Sequence, residues 1–362
     1  MHAAGHADHL TVARLSDKFH RIDYHSPEST NNLLDLIKPQ IVVPGCHDMY
    51  YKAYCASKAC KSREYTLSHS LISFYQIHSK TLFRNKLSTL LSDACPCFRV
   101  INTDDILDDI ESKLGLPLIC KPCHAGGGRG IKFINSYQEL TEHHKSPNTT
   151  FPYILERIVP GIDISISIFL EGNGAGRLLY ADTEIVDNTR FRVIGSVSSN
   201  EFIRVIRNSE ITIKLINLAY RMGITNGLWH CQLRISDKSW KIIEITQRMP
   251  GDLYQRVPEL FTAIDYTGFY LKSFGLQDTS MRISPLNQIW ANDNEPDELV
   301  FGRYIDSYEM PFKKKVTVVE KYSTSNYQAL DDYYNVNIFA AKASRNHPIP
   351  ILNKALDFVK SL

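Results

Sequence analysis

A glycine-rich segment from Pro117 to Ile134, PLICKPCHAGGGRGIKFI, separates two short apolar runs. Both runs have the length and composition of strands, so the chain must contain a strand pair joined by a loop longer than a tight hairpin needs. Lys121 precedes the loop, whose residues are Gly126, Gly127, Gly128, Arg129 and Gly130. Adjacent glycines let backbone N–H groups converge on an anion. Taken alone, the loop fits a phosphate lid and a flexible hairpin about equally well.

Two known phosphate-binding motifs differ from this segment. In the G-x-x-x-x-G-K-[ST] motif the lysine follows the glycines at the start of a helix, whereas Lys121 precedes them on a predicted strand. The segment also lacks the G-x-G-x-x-G spacing and the following helix of a dinucleotide-binding fold. The loop therefore has to be interpreted together with other residues.

Length and charge limit the class of protein. A chain of 362 residues is too long for one ordinary core, so two or three packed units are expected. Lys and Arg (41) nearly balance Asp and Glu (39), which argues against nucleic acid or an anionic membrane as the main partner. No apolar run approaches the ~20 residues of a membrane span, and MHAAGHADHL does not resemble a signal peptide. We predict a cytoplasmic protein.

Eight cysteines are scattered without a regular interval, which indicates free thiols in a reducing compartment. Cys120 and Cys123 form a C-x-x-C pair, which a redox or zinc site could use. Because no second pair stands at a zinc-ligand spacing and Lys121 interrupts this one, we expect neither site.

Local patterns predict several elements. A β-branched run at residues 41–43, stopped by Pro44 and Gly45, predicts a buried strand of an α/β layer. Residues 82–91 are predicted to form a helix that carries Lys86, and residues 98–101 a short strand. In DISISIFLE, three isoleucines alternate with two serines, Ser165 and Ser167, which predicts a half-buried antiparallel strand. A helix is predicted at residues 209–222, ended by a glycine.

A second polar group lies on two further predicted strands, GLWHCQLRI and SWKIIEIT. Gln232 lies on the first strand, and Glu244, Thr246 and Arg248 alternate along the second and beyond, so that they point to one face. Two oxygen ligands, a hydroxyl and an arginine on one face can hold Mg²⁺ and polyphosphate together. The alternative is a solvated strand with an incidental salt bridge. The isoleucines between these residues disfavour it, because they can bury the opposite face.

Four features in this order resemble the ATP-grasp superfamily: Lys86 on a helix, Lys121 before a glycine-rich loop, LERIVPGIDISI, and Q…E-x-T-x-R. The following segment, MPGDLYQRVPELF, is similar to the branch of carboxylate-amine ligases that act on amino acids and dipeptides. The resemblance implies an α/β N-terminal domain (residues 1–80) followed by an α+β ATP-grasp fold of two lobes. These lobes would be residues 81–155, with the glycine-rich lid, and residues 156–362, with a C-terminal extension. The N-terminal domain is abbreviated unless the chain starts further upstream.

The resemblance also implies how ATP is bound. Lys86 and Lys121 would contact the ATP phosphates, and the glycine-rich loop at residues 126–130 would close over them. Glu156 and the backbone of Arg157 and Ile158 match the segment that reads the adenine amino edge. Asp163 stands where the family usually has an acid that holds the ribose.

The metal positions implied by the resemblance are Gln232, Glu244 and Thr246, which would bind Mg²⁺ or Mn²⁺, and Arg248 would steady the transferring phosphate. Two of these depart from the family pattern. Thr246 replaces the asparagine of E-x-N-x-R, so a second metal would be held more weakly or through water. Gln232 replaces the commoner glutamate, and its neutral amide oxygen still suits Mg²⁺.

For such a protein the implied reaction converts a carboxylate into an acyl phosphate, which an amine then attacks to form an amide, with release of ADP and phosphate. The implied partners are a small-molecule carboxylate and an amine. Arg190 and Arg192 could hold a substrate carboxylate or form a surface basic pair. A homodimer is one assembly that the resemblance allows. The alternatives are a bicarbonate-activating carboxylase and a nucleotide-binding protein without ligase activity.

Overall fold

The computed structural model describes residues 1–5, 15–24, 26–45, 48–57, 71–123, 130–187, 189, 191–237, 239–251, 253–262, 264–276, 299–305, 307–310, 316–323, 335–342 and 349–362. The strands are β1 (His2–Gly5), β2 (Lys18–Arg21), β3 (Phe98–Ile101), β4 (Leu118–Pro122), β5 (Lys132–Ile134), β6 (Tyr153–Arg157), β7 (Ile162–Glu171), β8 (Gly176–Asp187), β9 (Arg192–Ser199), β10 (Asn226–Ser236), β11 (Ser239–Thr246), β12 (Leu299–Ile305), β13 (Thr317–Ser323) and β14 (Asn335–Lys342). The helices are α1 (Pro27–Ile37), α2 (Asp48–Ala56), α3 (Leu71–His78), α4 (Lys80–Leu90), α5 (Ile110–Leu114), α6 (Tyr137–Lys145), α7 (Asn200–Arg207), α8 (Glu210–Arg221), α9 (Arg256–Phe261), α10 (Tyr266–Lys272) and α11 (Pro350–Ser361). None of these helices combines the length and the apolar composition needed to span a bilayer.

The N-terminal region has α/β character, as predicted. β1 and β2 pair in parallel, with His2 opposite Lys18. α1 begins at a capped end, where Ser26 Oγ accepts a hydrogen bond from the Ser29 backbone N–H at 3.2 Å. Such a cap satisfies one of the backbone donors that the first helical turn leaves open.

The strand predicted at residues 41–43 is wrong, because this segment belongs to no sheet. Ile41 and Val42 pack against the large apolar core, whereas Val43 is 38% exposed. The Tyr270 hydroxyl of α10 donates a hydrogen bond to the Pro44 carbonyl at 3.1 Å. The segment is therefore held by side-chain burial and by α10 rather than by strand pairing.

A four-stranded antiparallel sheet in the order β3-β6-β4-β5 forms the small lobe together with α5 and α6. The lobe has its own apolar cluster, which includes Ile110, Leu118 and Leu140. The strands predicted on either side of the glycine-rich loop are confirmed as β4 and β5, which pair with Leu118 opposite Ile134. The predicted boundary between residues 155 and 156 falls within β6, and the chain leaves this sheet after Arg157.

An eight-stranded antiparallel sheet in the order β11-β10-β7-β8-β9-β12-β14-β13 forms the large lobe with the helices packed on it. One face is apolar and is covered in part by α8, since a Cβ placed on Gly176 would lie 2.8 Å from Ile216 Cγ1. The helix predicted at residues 209–222 is confirmed as α8, and Gly223 follows its end with a φ of +79°. β13 is an edge strand of this sheet.

Both faces of β7 are covered, whereas the alternation of isoleucine and serine predicts a half-buried strand. Ser165 and Ser167 are fully buried. Ser165 Oγ lies 2.9 Å from the Tyr254 hydroxyl, and Ser167 Oγ lies 2.9 Å from the Tyr266 hydroxyl. The second face is polar but enclosed, because tyrosines from the α9–α10 region cover it and satisfy its hydroxyl groups.

The helix predicted at residues 82–91 is confirmed as α4, although it begins at Lys80. Ser79 Oγ caps its start by accepting from the Leu82 backbone N–H at 3.5 Å. Phe83 and Leu87 belong to the apolar core of the large lobe. α4 thus packs against the large lobe, although it precedes the small lobe in the sequence.

Candidate functional site

A buried ionic cluster, called here the cation cluster, is formed by Arg84, Lys121 and Glu156. Lys121 Nζ on β4 donates to Glu156 Oε2 at 2.5 Å, and Arg84 Nε on α4 donates to Glu156 Oε1 at 2.6 Å. Arg84 Nη2 also donates to the Ile243 carbonyl on β11 at 2.9 Å. Arg84 is 2% exposed, and its Nη1 has no hydrogen-bond partner among the described residues. The cluster therefore connects the strand of Lys121 in the small lobe to the residue next to Glu244 in the large lobe.

The electrostatics of this cluster favour an anion. Burial would raise the pKa of Glu156, but the charges and hydrogen bonds of Arg84 and Lys121 hold it at about 2. Burial lowers the pKa of Lys121, and although Glu156 opposes this, the charges of Arg84 and Lys80 add to it. One carboxylate thus pairs with two cations, Arg84 and Lys121, so the cluster has a net positive charge in a place from which water is largely excluded.

Lys86, predicted to contact phosphates, is exposed on α4, whereas Arg84 is buried in the cation cluster. Contact of Lys86 with phosphates stays a prediction, and the difference in burial between the two residues has a simple geometric reason. On a helix with 3.6 residues per turn, these two residues lie on opposite margins of the stripe formed by Phe83 and Leu87. The sequence alone does not show which of the two residues faces the small lobe. In the structure it is Arg84 that lies near Lys121, because both bind Glu156. Lys80, four residues before Arg84, lies on the same side.

The glycine-rich loop falls largely outside the described residues, which include Gly130 but not Gly126, Gly127, Gly128 or Arg129. Gly130 has a φ of +74°, and a Cβ there would lie 2.8 Å from Pro122 Cγ. Glycine is therefore required at this position for the hairpin to return onto β4. Contact of the loop with phosphates stays a prediction.

The segment predicted to read adenine lies at the end of β6. The Glu156 carboxylate is held by two cations, so its side chain does not point to an open base site. The Arg157 backbone N–H donates to the Cys97 carbonyl at 2.9 Å. The Nε atom of the Arg157 side chain donates to the Leu114 carbonyl at 2.7 Å. Ile158 follows the last residue of β6. Adenine recognition by this segment would rest on other backbone atoms, and it stays a prediction.

Asp163, predicted to hold the ribose, forms a two-pronged ion pair with Arg234. Arg234 Nε donates to Asp163 Oδ1 at 2.8 Å, and Nη2 donates to Oδ2 at 2.6 Å. The two residues are directly opposite each other on β7 and β10, which explains the pairing. A ribose hydroxyl would therefore have to share this carboxylate with Arg234.

The predicted metal positions Gln232 and Glu244 are brought together, since they are directly opposite on β10 and β11. Glu244 is exposed and Gln232 is half-buried. Gln232 Nε2 donates to both carboxylate oxygens of Glu184, at 3.1 and 2.9 Å, which leaves Oε1 as its free acceptor. In the described part of the chain no three His, Cys, Asp or Glu side chains converge as a metal site. A metal here would therefore need the Gln232 amide oxygen and donors from a ligand.

Thr246 and Arg248 lie at the end of β11. Thr246 is buried, and its Oγ1 accepts a hydrogen bond from the Arg248 backbone N–H at 3.3 Å. His230 is directly opposite Thr246. Burial lowers the pKa of His230 to about 3, and the charges of Arg248 and Arg303 add to this effect. His230 is therefore neutral at pH 7, with two arginines near it.

Three charged residues on the same face were missed by the sequence analysis: Asp182 and Glu184 on β8, and Arg303 on β12. All three are buried. Burial raises the pKa of Asp182 to about 6 and that of Glu184 well above its ordinary value, while Arg303 opposes both shifts. In YADTEIVD, Tyr180, Asp182 and Glu184 stand at every second position, like the polar residues of β11. That period of two could have identified the pair.

The arginines predicted to bind a substrate carboxylate are only partly described. Arg190 lies outside the described residues. Arg192 is half-buried at the start of β9, opposite Asp187 on β8. The adjacent Phe191 contacts Phe133 of the small lobe, with ring centroids 4.9 Å apart. The turn before β9 thus touches the small lobe, and substrate binding by Arg192 stays a prediction.

Cys120 and Cys123 are buried free thiols. Burial raises the pKa of Cys120 to about 12 and raises that of Cys123 as well. Cys123 Sγ lies 3.1 Å from Thr81 Oγ1, and Cys120 Sγ lies 3.3 Å from His143 Nε2. Both thiols are protonated at neutral pH, and Cys120 belongs to the apolar cluster of the small lobe.

Comparison with protein families and known structures supports this description of the fold. Residues 79–153 match the family "Carbamoyl-phosphate synthase L chain, ATP binding domain". No curated protein matches the sequence.

Three solved structures illustrate the structural similarity. L-amino acid ligase from Bacillus licheniformis is 15% identical, with a TM-score of 0.67 over 99% of this chain and 96% of that one. The biotin carboxylase domain of Hydrogenobacter thermophilus 2-oxoglutarate carboxylase, solved as a dimer with MgADP, ADP and bicarbonate, is 14% identical, with a TM-score of 0.66 over 91% and 78%. N5-carboxyaminoimidazole synthetase from Staphylococcus aureus, complexed with ADP, is 12% identical, with a TM-score of 0.65 over 94% and 86%. At such identities the similarity concerns the fold.

Proposed function

The chain has the ATP-grasp fold, and from this premise we propose that it is an ATP-dependent carboxylate-amine ligase. In the proposed reaction, a carboxylate oxygen attacks the γ-phosphorus of ATP, which gives an acyl phosphate and ADP. A deprotonated amine then attacks the carbonyl carbon, and phosphate leaves as the amide forms. The net products are the amide, ADP, phosphate and one proton.

The observation that carries this proposal is the bridge made by Arg84. Its guanidinium binds Glu156, the partner of Lys121, and also the carbonyl of Ile243, which directly precedes Glu244. A cation suited to phosphate groups is therefore bonded to the residue that precedes a carboxylate suited to a metal. Phosphoryl transfer depends mainly on positioning and on neutralising charge, and this arrangement supplies both.

Individual residues have distinct roles in this proposal. Lys121 and Arg84 hold the ATP phosphates, with Lys80 adding positive charge. Arg248, at the end of β11, steadies the phosphoryl group during its transfer. The glycine-rich loop, residues 126–130, closes over the nucleotide and keeps water away from the acyl phosphate.

The donor set on β10 and β11 fits Mg²⁺, and Mn²⁺ has the same preference for oxygen. Glu244 offers an exposed carboxylate and Gln232 an amide oxygen, whereas Thr246 Oγ1 is engaged by the Arg248 backbone N–H. When bound, the metal would offset the negative charge of the phosphates. With Thr246 engaged in this way, Glu244 and Gln232 are the principal ligands in the proposal.

A bicarbonate-activating carboxylase is the second candidate. The carboxylase domain from Hydrogenobacter matches with a TM-score of 0.66, against 0.67 for the amino acid ligase, so the fold alone does not separate the two. The two candidates differ in the molecule that receives the phosphoryl group.

The test is ADP release with Mg²⁺ over pairs of carboxylates and amines, with bicarbonate as a separate arm. The proposal predicts ADP and phosphate release that requires both a carboxylate and an amine, together with a new amide detected by mass spectrometry. Release that requires bicarbonate would favour the carboxylase. ATP binding without turnover across the panel would mean a nucleotide-binding protein without ligase activity.

A further inference from the structure

Two contacts between the lobes differ in kind. In the first, the buried Arg84 guanidinium binds Glu156 of the small lobe at 2.6 Å and the Ile243 carbonyl of the large lobe at 2.9 Å. In the second, the ring of Phe133 on β5 meets the ring of Phe191, with centroids 4.9 Å apart. Phe133 is 39% exposed and Phe191 is half-buried. The first contact is therefore charged and enclosed, whereas the second is apolar and reached by water.

Phe133 lies on the face of the small sheet that meets the large lobe. It is directly opposite Ile119 on β4, and Ile119 is directly opposite Glu156 on β6, so the three side chains share one face. Glu156 binds Arg84 from this face. Two strand spacings, about 10 Å, separate the backbones of Phe133 and Glu156. Phe133 therefore shares a face with the cation cluster and lies on the strand that follows the glycine-rich loop.

The large lobe makes its two contacts from different strands. Ile243 belongs to β11, at one edge of the large sheet, and Phe191 directly precedes β9, in the turn after β8. In the order of strands, β10 and β7 lie between β11 and β8, and they carry Gln232 and Asp163. The predicted metal and nucleotide positions are thus flanked by the charged contact on one side and by the aromatic contact on the other.

Phe191 has a backbone conformation that a bulky residue rarely adopts. Its φ is +51°, in the left-handed region. The turn before it is braced, because the Thr189 backbone N–H donates to Asp187 Oδ1 at 2.9 Å and the Tyr308 hydroxyl donates to Asp187 Oδ2 at 3.3 Å. Strain of this kind persists only where the surroundings impose it, and it is concentrated at functional positions. The braced turn holds the Phe191 ring against the small lobe.

The connection between β6 and β7 fixes the opposite side of the junction. Arg234 Nη1 donates to the Val159 carbonyl at 3.1 Å, and a Cβ on Gly161 would lie 2.0 Å from the Ile235 carbonyl oxygen. Both contacts join the connection to β10. Together with Arg84 they keep the lobes attached near β10 and β11, so a movement that opens the space between the lobes separates the aromatic side.

We propose that Phe133 and Phe191 form a gate, called here the phenyl gate, through which ATP enters and ADP leaves the space between the lobes. This inference rests on the proposed function, which supplies the nucleotide. The two rings are in contact, so they have to separate before a molecule passes between them. Separating two partly hydrated rings is easy compared with breaking the buried ion pair of Arg84 and Glu156.

The test measures the association and dissociation rates of a fluorescent ATP analogue, methylanthraniloyl-ATP, with Mg²⁺ by stopped-flow fluorescence. A gate that closes both the free and the nucleotide-bound protein slows the two steps by the same factor. In Phe133→Ala and in Phe191→Gly both rates should therefore rise roughly 3- to 10-fold, while Kd changes by less than about twofold. The double variant should be no faster than either single variant, because each removes the same contact.

Three comparisons separate the gate from other effects. Glycine accepts the φ of residue 191 without strain, so Phe191→Gly removes the ring and keeps the turn, which urea denaturation checks. Tyr137→Ala is the matched control and should leave both rates unchanged, since Tyr137 is 37% exposed and bonds to Asp108 within the small lobe. Lys121→Ala removes a proposed phosphate contact and should raise the dissociation rate alone.

Unchanged rates in both Phe133→Ala and Phe191→Gly would overturn the phenyl gate while leaving nucleotide binding intact. Faster dissociation with unchanged association would also overturn it, because the rings would then hold the nucleotide rather than control its passage. If the native protein does not bind the analogue, the proposed function itself is contradicted, and the phenyl gate falls with it.

Discussion

Lys121 and Lys86 are both lysines, but the structure gives them different surroundings. Lys121 is 7% exposed and bonded to Glu156, whereas Lys86 is exposed on α4. Lys121→Ala should therefore lower ATP-dependent turnover by roughly 10²–10³-fold, since one well-placed charge contributes about that much to stabilising a transition state. Steady-state ADP release measures it, and circular dichroism checks the fold.

Lys86→Ala is the matched control and should retain turnover close to that of the native protein. Loss of activity in Lys86→Ala with full activity in Lys121→Ala would show that the helix presents its other margin to the nucleotide.

Glu156 has a structural role that can be separated from catalysis. Glu156→Gln leaves Arg84 and Lys121 buried without a counterion, which should lower the free energy of unfolding by about 3–5 kcal/mol. Urea denaturation at pH 7 measures the loss. Because the folded-state pKa of Glu156 is held at about 2, below its ordinary 4.5, its contribution is present above pH 4.5 and declines towards pH 2.

The control is Glu210→Gln, which removes an exposed carboxylate paired with Lys214 on α8 and should leave stability unchanged. Equal stability of Glu156→Gln and the native protein at pH 7 would mean that the cation cluster does not need its carboxylate.

Asp182 should make the ligand-free protein less stable as pH rises. Its folded-state pKa of about 6 lies above the ordinary 3.8, so the folded state binds the proton more tightly and loses stability between these two pH values. The full effect is about 3 kcal/mol. Asp182→Asn should therefore gain stability relative to the native protein as pH rises from 4 to 7, measured by urea denaturation at each pH. A difference that does not change with pH would contradict the burial of an ionised Asp182.

At the level of secondary structure, the connection between β6 and β7 joins the two lobes through a glycine. Gly161 has a φ of +132°, and a Cβ there would lie 2.0 Å from the Ile235 carbonyl oxygen at the end of β10. Gly161→Ala should be destabilising, because it adds a steric clash with backbone to the strain of a positive φ. Thermal and urea denaturation measure the change.

Gly172 provides the comparison, since its φ is +85° but no atom lies within 4 Å of its Cβ position. Gly172→Ala should cost about 1–2 kcal/mol, and Gly161→Ala about 1–3 kcal/mol more. Equal losses of stability in the two variants would show that β10 can move away from the connection between β6 and β7.

The sequence predicts elements best where a pattern has one interpretation. β3, β4, β5, β7, α4 and α8 follow from apolar periodicity and from breaking residues. Residues 41–43 have the composition of a strand, but no neighbouring strand pairs with them. The irregularity between Gln232 and Leu233, where Ile243 is left out of the pairing with β10, has no signal in the sequence. It is there that the Ile243 carbonyl accepts from Arg84.

The candidate site was predicted in part because its strand residues alternate. Gln232 and Glu244 meet as predicted, since cross-strand neighbours follow from a hairpin. The sequence does not show whether Arg84 or Lys86 joins the buried cluster, because both lie beside the apolar stripe formed by Phe83 and Leu87 on α4. Arg303 is brought to β8 by a pairing across more than a hundred residues, which periodicity within a segment cannot reveal.

At the level of the whole molecule, specific contacts among the described residues join the two lobes. Arg84 links Glu156 of the small lobe to Ile243 of the large one, and Phe133 meets Phe191 across the same gap. The proposed nucleotide site lies at this junction.

The most direct test of the central claim uses a carboxylate substrate labelled with ¹⁸O in both oxygens. Activation as an acyl phosphate transfers one of these oxygens to phosphate when the amine displaces it. We therefore predict one ¹⁸O atom in the released phosphate for each amide formed, with ADP as the nucleotide product, both measured by mass spectrometry. Unlabelled phosphate, or label found in AMP, would contradict the account.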